Sequence, residues 1–249
     1  MKKVAYVAFS GGVDSTALSL MYPEAIPIFT DTGWEFPELY AHIDKFEQVT
    51  GREVKRITDG NTMPEEIRRM KFFPNHGARW CTRVMKIEPM NRFLKNNTPC
   101  ELWIGLRADE PGRTGNLTVM EGLTIRYPMR ELGMGRMDAL KVCMENNLLP
   151  RYPVYMARGG CVGCFYKRPA EVKAMIHLVP EVIDDLVQLE RDVQDERSKH
   201  FHCFANCGKS VSEMRYEETE NTLFDKSEAW RAAAETDDVG EACGLFCHR

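Results

Sequence analysis

The chain has 249 residues, 43% of them hydrophobic and 28% charged, with a formal net charge of −4. That length accommodates one large domain with an extension or two small ones, and it buries a sizeable core without disulfide or metal staples. The mild acidity excludes a globally basic nucleic-acid coat. No apolar run reaches the ~18 residues of a membrane helix, and Met1-Lys2-Lys3 leads into too short an apolar stretch for a secretory signal, so a soluble cytoplasmic protein with no membrane partner is expected.

In chain order, residues 3–9 read as a strand, 10–14 as a glycine turn and 15–21 as a helix by apolar spacing. A second strand covers 25–30 and ends at Asp31-Thr32-Gly33. A helix follows over 37–49, closed by Gly51, and a third strand covers 54–57. Residues 86–97 read as helix, 102–106 as a strand aimed at Arg107, 137–146 as helix and 152–156 as strand-like. Strands alternating with helices predict an α/β fold, a doubly wound and mostly parallel sheet covered on both faces, with ligands at the carboxyl ends of its strands. From 190 to 241 fourteen acidic residues stand against seven basic ones, with no sustained apolar strand. The division expected is therefore a nucleotide-binding and cysteine-bearing domain over 1–189 and a charged helical extension over 190–249.

Ser10-Gly11-Gly12-Val13-Asp14-Ser15-Thr16 joins the first strand to the first helix. Two glycines allow a tight turn that points successive N–H groups inward. The hydroxyls of Ser10, Ser15 and Thr16 add donors, and the helix start adds its positive end, which together make a cradle for a polyphosphate. The loop lacks the lysine of a Walker loop and the spacing of a dinucleotide fingerprint. Asp14 and Asp31 are placed to hold Mg²⁺ together with the phosphates.

Ser-Gly-Gly-x-Asp-Ser resembles the PP-loop of the ATP pyrophosphatases. Thr30-Asp31-Thr32-Gly33 with Phe36-Pro37-Glu38-x-Tyr40, Gly105-Leu106-Arg107 with Glu110 and Arg113, and Lys86-Ile87-Glu88-Pro89 are similar to segments of the phosphoadenosine phosphosulfate (PAPS) reductase family within that superfamily. The resemblance covers roughly residues 4–170. It implies a PP-loop α/β enzyme that binds an adenine nucleotide, ATP or a sulfonucleotide, through Ser10, Gly11, Gly12, Asp14, Ser15, Thr16, Asp31, Thr32, Gly33, Arg107 and Arg113.

Nine cysteines in a chain expected to be cytosolic point to metal or redox chemistry more than to a disulfide framework. Cys100 and Cys143 read as small buried hydrophobes. Cys161-Val162-Gly163-Cys164 suits a shared metal or a redox dithiol. In the family's iron–sulfur reductases a tandem Cys-Cys lies about eighty residues upstream of such a pair. Here Cys81 stands eighty residues before Cys161, and Thr82 occupies the second tandem position. The resemblance thus implies a [4Fe–4S] cluster on Cys81, Cys161 and Cys164 with one iron open, or completed by Cys203, Cys207 or a histidine; zinc or no metal at these cysteines remain alternatives. The tail, Glu241-Ala242-Cys243-Gly244-Leu245-Phe246-Cys247-His248, resembles the reductases' terminal segment and makes Cys243 a nucleophile. Cys203, Cys207, Cys243 and Cys247 also have spacers that suit zinc.

Cys243, Asp14 and Lys86 are the expected catalytic residues. The reading preferred is ATP-dependent, AMP-forming sulfur transfer. The alternatives are sulfonucleotide reduction releasing sulfite with a thioredoxin-like reductant, and a nucleotide-binding subunit of a nucleic-acid modification complex. A tRNA or DNA acceptor suits the net +6 carried between Arg52 and Lys95, and a homo-oligomer is expected.

Overall fold

The computed structural model describes residues 3–113, 120–157, 160–193 and 209–219. Five strands form one sheet: β1 (Val4–Ala8), β2 (Ile26–Thr30), β3 (Lys55–Ile57), β4 (Cys100–Trp103) and β5 (Leu123–Arg126). Their order is β3-β2-β1-β4-β5, and every pairing is parallel. The α/β prediction holds, with a sheet parallel throughout.

Strand alternation decides which helix covers which face. Tyr6, Ile28 and Leu102 point to one side, where they pack with Met90 and Leu94 of α4 (Glu88–Asn96). Val7 and Trp103 point to the other, against Ala17 and Leu18 of α1 (Val13–Met21) and Ala139 and Cys143 of α6 (Arg136–Glu145). Phe9 and Phe29 join Ile43 and Phe46 of α2 (Pro37–Thr50), a helix that opens on proline and ends at Gly51 in the left-handed region, φ 66°. These chemically matched ends explain why α2 lies close to its predicted span.

Three expectations need correction. Residues 152–156 are not strand: Pro153 leads into a 3₁₀ turn, Val154–Met156. The fourth strand ends at Trp103, and Ile104 to Leu106 leave it for the loop that carries Arg107. Ahead of α4 the chain winds as a π-helix over Thr82–Ile87. The sequence reading also passed over α3 (Met63–Met70), whose start is a Thr62/Glu65 capping box, the short α5 (Pro128–Glu131) and α7 (Pro169–Leu178).

At the acidic end α8 (Pro180–Val193) runs through position 190, and α9 (Val211–Thr219) follows. Glu190 is buried on α8 and accepts the N–H groups of Val211 and Ser212 at 2.8 and 3.1 Å, which caps α9 from outside. Val211 and Met214 then enter the same core as α7 and α8. Among the described residues no helix is long and apolar enough to cross a membrane.

Candidate functional site

The chain runs from β1 outward through β2 to β3 and then returns to place β4 on the other side of β1. The crevice where strand order reverses lies between the ends of β1 and β4, the usual ligand position in such sheets. Ser10–Gly12 leave β1 there and Gly105–Arg107 leave β4. A Cβ on Gly105 would stand 3.1 Å from the Asp14 carbonyl carbon and 3.3 Å from the Ser15 nitrogen, so the two loops touch because residue 105 has no side chain.

Gly11 takes φ +75°, and the chain then enters α1 at Gly12 without a side-chain cap. The first N–H groups of α1 have no carbonyl acceptor within the helix and lie at its positive end. The hydroxyls expected to face a phosphate have different work. Ser15 Oγ accepts from Ser10 N at 3.1 Å, meets Ser10 Oγ at 3.1 Å and donates to Gly12 O at 3.2 Å. Thr16 is fully buried and bonds His42 Nε2 at 3.1 Å. Ser15 and Thr16 therefore help to hold the loop's shape. Burial pushes the His42 imidazole down to about 4, with Lys45 adding to the effect, so it is neutral at ordinary pH.

Arg107 and Asp14, both expected at the nucleotide, face each other at 2.7 Å. Arg107 also holds Asp109 at 2.9 Å and Glu110 at 3.4 Å, while Arg113 pairs with Glu110 at 2.7 Å. Their guanidiniums brace the loop's aspartate and the 105–113 turn. At the end of β2, Asp31 Oδ1 accepts from Gly33 N at 2.8 Å and Tyr40 Oη at 2.7 Å, and Gly33 takes φ +64°.

Thr32 belongs to a second cluster. It is fully buried, donates to Glu35 Oε1 at 3.0 Å, and lies 4.0 Å from Cys161 Sγ. Cys161 arrives there because residues 34–36 pair with 160–162: Phe36 N reaches Gly160 O at 2.7 Å and Val162 N reaches Trp34 O at 2.9 Å. The glycines around the cysteine pair permit this approach. A Cβ at Gly163 would meet the Trp34 ring at 2.2 Å, and one at Gly160 would meet Leu39 at 2.6 Å and Glu35 Oε2 at 2.8 Å.

Cys81, Cys161 and Cys164 line one pocket, open to solvent, with Lys86, Trp34, Pro74, Phe165 and Tyr166. The π-helical winding bonds residues five apart, as Glu88 N does to Arg83 O, and so brings Cys81 and Lys86 to the same side. Lys86 Nζ lies 3.8 Å from Cys161 Sγ, and Cys161 Sγ lies 3.2 Å from Glu35 Oε1. Burial pushes all three thiols up; for Cys161 the Glu35 carboxylate adds to the rise and Lys86 opposes it. Burial alone would lower the Lys86 ammonium, but Cys161, Glu35, Cys81 and Cys164 outweigh it and hold the proton on. Lys86 is thus a fixed cation among three thiols, opposing but not cancelling the rise that burial causes. Among the described residues no three His, Cys, Asp or Glu side chains gather tightly enough for a single metal ion.

Cys100 and Cys143 are buried in the sheet-facing clusters; Cys143 donates to Val13 O at 3.4 Å, and burial with nearby Asp14 pushes its thiol up to about 12. Cys203, Cys207, Cys243 and Cys247, with His200, His202 and His248, lie outside the described residues. Of the eleven basic residues in this stretch, these form ion pairs: Arg56 with Asp44, Arg68 with Asp192, Arg69 with Glu66, Arg83 with Glu88 and Arg92 with Asp59. Asp59, Glu66 and Glu88 are already counted in the net +6, so the partners from outside the stretch, Asp44 and Asp192, lower it only to +4. Glu35, Trp34, Leu39 and Tyr152 were not singled out from sequence. The one local hint was the run Thr32-Gly33-Trp34-Glu35-Phe36, where polar and large residues crowd a strand end.

A family model described as the phosphoadenosine phosphosulfate reductase domain matches residues 4–124, from β1 through both loops of the crevice into β5. That match covers just under half of the chain. Beyond the PAPS reductase domain, the uncharacterized protein MJ0066 of Methanocaldococcus jannaschii is 30% identical over 210 residues, 80% of this chain and 43% of that protein. PAPS reductases of Cronobacter sakazakii and Escherichia coli are 34% and 33% identical over 102 and 104 residues, 39% and 40% of this chain and 41% and 42% of theirs. The chain thus spans about two fifths of the length of these relatives. A crystal structure of PAPS reductase from Candida auris in a phosphate complex is similar at TM-score 0.45 and 16% identity, over 59% of this chain and 74% of that one.

Proposed function

We propose that the PAPS reductase domain binds the phosphates of an adenine nucleotide at Ser10–Thr16 and performs sulfur chemistry with the thiols at 81, 161 and 164. The observation that carries this is the pairing of 34–36 with 160–162, which joins the cysteine pair to the β2–α2 loop beside the phosphate loop. The preferred reaction is ATP-dependent sulfur transfer. An acceptor oxygen attacks the α-phosphate, pyrophosphate leaves with Mg²⁺, and a sulfur nucleophile then displaces AMP from the activated acceptor. In this reading the start of α1 neutralises the phosphate charge, Arg107 holds Asp14 in place, and Lys86 compensates thiolate charge in a pocket of low polarity. Cys81, Cys161 and Cys164 would hold an iron–sulfur cluster, which supplies an iron able to carry sulfur.

A second reading is favoured by the named PAPS reductases among the relatives. There the Cys243 thiolate attacks the sulfonucleotide sulfur, forming an S-sulfocysteine as the nucleotide leaves, and a thioredoxin-like dithiol then releases sulfite and is oxidised. A tRNA or DNA acceptor, a nucleotide-binding role within a larger complex and a homo-oligomeric state belong to the same proposal. The test gives anaerobically purified protein ATP with Mg²⁺, or PAPS with a dithiol, and measures pyrophosphate and sulfite. Pyrophosphate lost in Asp14→Asn supports transfer, and sulfite lost in Cys243→Ser supports reduction. Neither product, with no nucleotide bound, overturns both.

A further inference from the structure

We propose that Tyr152 is a positioning residue of the phosphate loop, holding the Gly11–Gly12 peptide plane so that the Gly12 N–H faces the bound phosphate. The inference deepens the nucleotide reading above and rests on it. Tyr152 Oη donates to Gly11 O at 2.7 Å across 141 positions of sequence. In a trans peptide the C=O and the following N–H point opposite ways, so fixing Gly11 O on one side aims the Gly12 N–H to the other. This plane needs an external hold. It lies between two glycines, the first at φ +75°, where no Cβ resists a flip of the peptide.

The surroundings set the Tyr152 ring as well as its hydroxyl. His42 meets the ring edge to face at 5.9 Å, and the same His42 bonds Thr16 in the first turn of α1. Leu39 fills the space beside Gly11, where a Cβ would stand 2.4 Å from its Cδ1 and 3.1 Å from the Tyr152 hydroxyl. The other branch of Leu39 fills the equivalent space beside Gly160, directly before Cys161. The segment that delivers the thiols therefore also sets the plane of the phosphate loop. That places the anion and the sulfurs in one frame through contacts among Tyr152, Leu39 and two glycines.

The test is Tyr152→Phe, which keeps the ring and removes the hydroxyl. Equilibrium binding of ATP·Mg²⁺, PAPS and adenosine is compared with wild type, together with the hydrogen-exchange rate of the Gly12 amide. One lost hydrogen bond predicts binding of the two phosphate ligands weakened about 3- to 10-fold, adenosine binding unchanged, and faster Gly12 exchange. Equal weakening for adenosine, or a melting point lowered by more than a few degrees, marks a general packing role and overturns the assignment. So does unaltered ATP and PAPS binding. Wild-type protein that binds neither ligand overturns the nucleotide reading itself, and the role of Tyr152 with it.

Discussion

The phosphate loop and the thiol pocket lie side by side and are built by opposite means. The first is polar: the Asp14 carboxylate, the Arg107 guanidinium and the Ser10 and Ser15 hydroxyls fix a glycine turn. The second is apolar: Trp34, Pro74, Phe165 and Tyr166 surround three thiols, with Lys86 as the charge that offsets them. In the proposed reading one offers backbone N–H groups to an anion; the other desolvates sulfur and raises its proton affinity. The comparison teaches that a nucleotide's charge and a reactive sulfur can be managed in adjacent but separately built compartments, joined by a three-residue pairing.

The largest expected break of that contrast is Arg107→Met. It removes the buried guanidinium facing Asp14, while Glu110 keeps Arg113, and removing one side of such a pair costs about 3–5 kcal/mol. Urea unfolding should show the loss without changing the ring packing around Trp34. Next comes a pH effect confined to the phosphate side. The folded state holds His42 at about 4 against the ordinary 6.5 of an imidazole, so the unfolded chain binds the extra proton first. Stability is therefore complete above 6.5 and falls as pH drops toward 4, by up to about 3 kcal/mol. His42→Gln should flatten that limb of a stability–pH curve. On the thiol side, Gly163→Ala pushes a methyl into the Trp34 ring and should cost about 1–3 kcal/mol, read by thermal unfolding. Shifted Trp fluorescence in that variant, with ATP affinity retained, would show the compartments to be separable.

The polar compartment was legible because its parts are contiguous: strand, Ser-Gly-Gly-x-Asp-Ser and helix follow one another, so local chemistry specifies local shape. What escaped was the use of its side chains. The sequence does not show that Ser15 bonds Ser10 and Gly12, or that Thr16 bonds His42. Nor does it show that Arg107 faces Asp14. The thiol compartment was legible only as a spacing among Cys81, Cys161 and Cys164. Its walls come from residues 34–36 paired with 160–162, a long-range register that no periodicity encodes, and from a π-helical turn whose sequence reads as ordinary helix. Tyr152 was hidden for the same reason, since its partner lies 141 residues away.

The central claim is that Cys81, Cys161 and Cys164 act as one chemical site. Iron and acid-labile sulfide per chain in anaerobically purified protein test it most directly, using single Cys→Ser variants at 81, 161 and 164 with Cys100→Ser and Cys143→Ser as controls. The account predicts up to about four irons in wild type and in both controls, and near-complete loss in each of the three site variants. Iron retained equally in all five variants, or none in wild type, would contradict it.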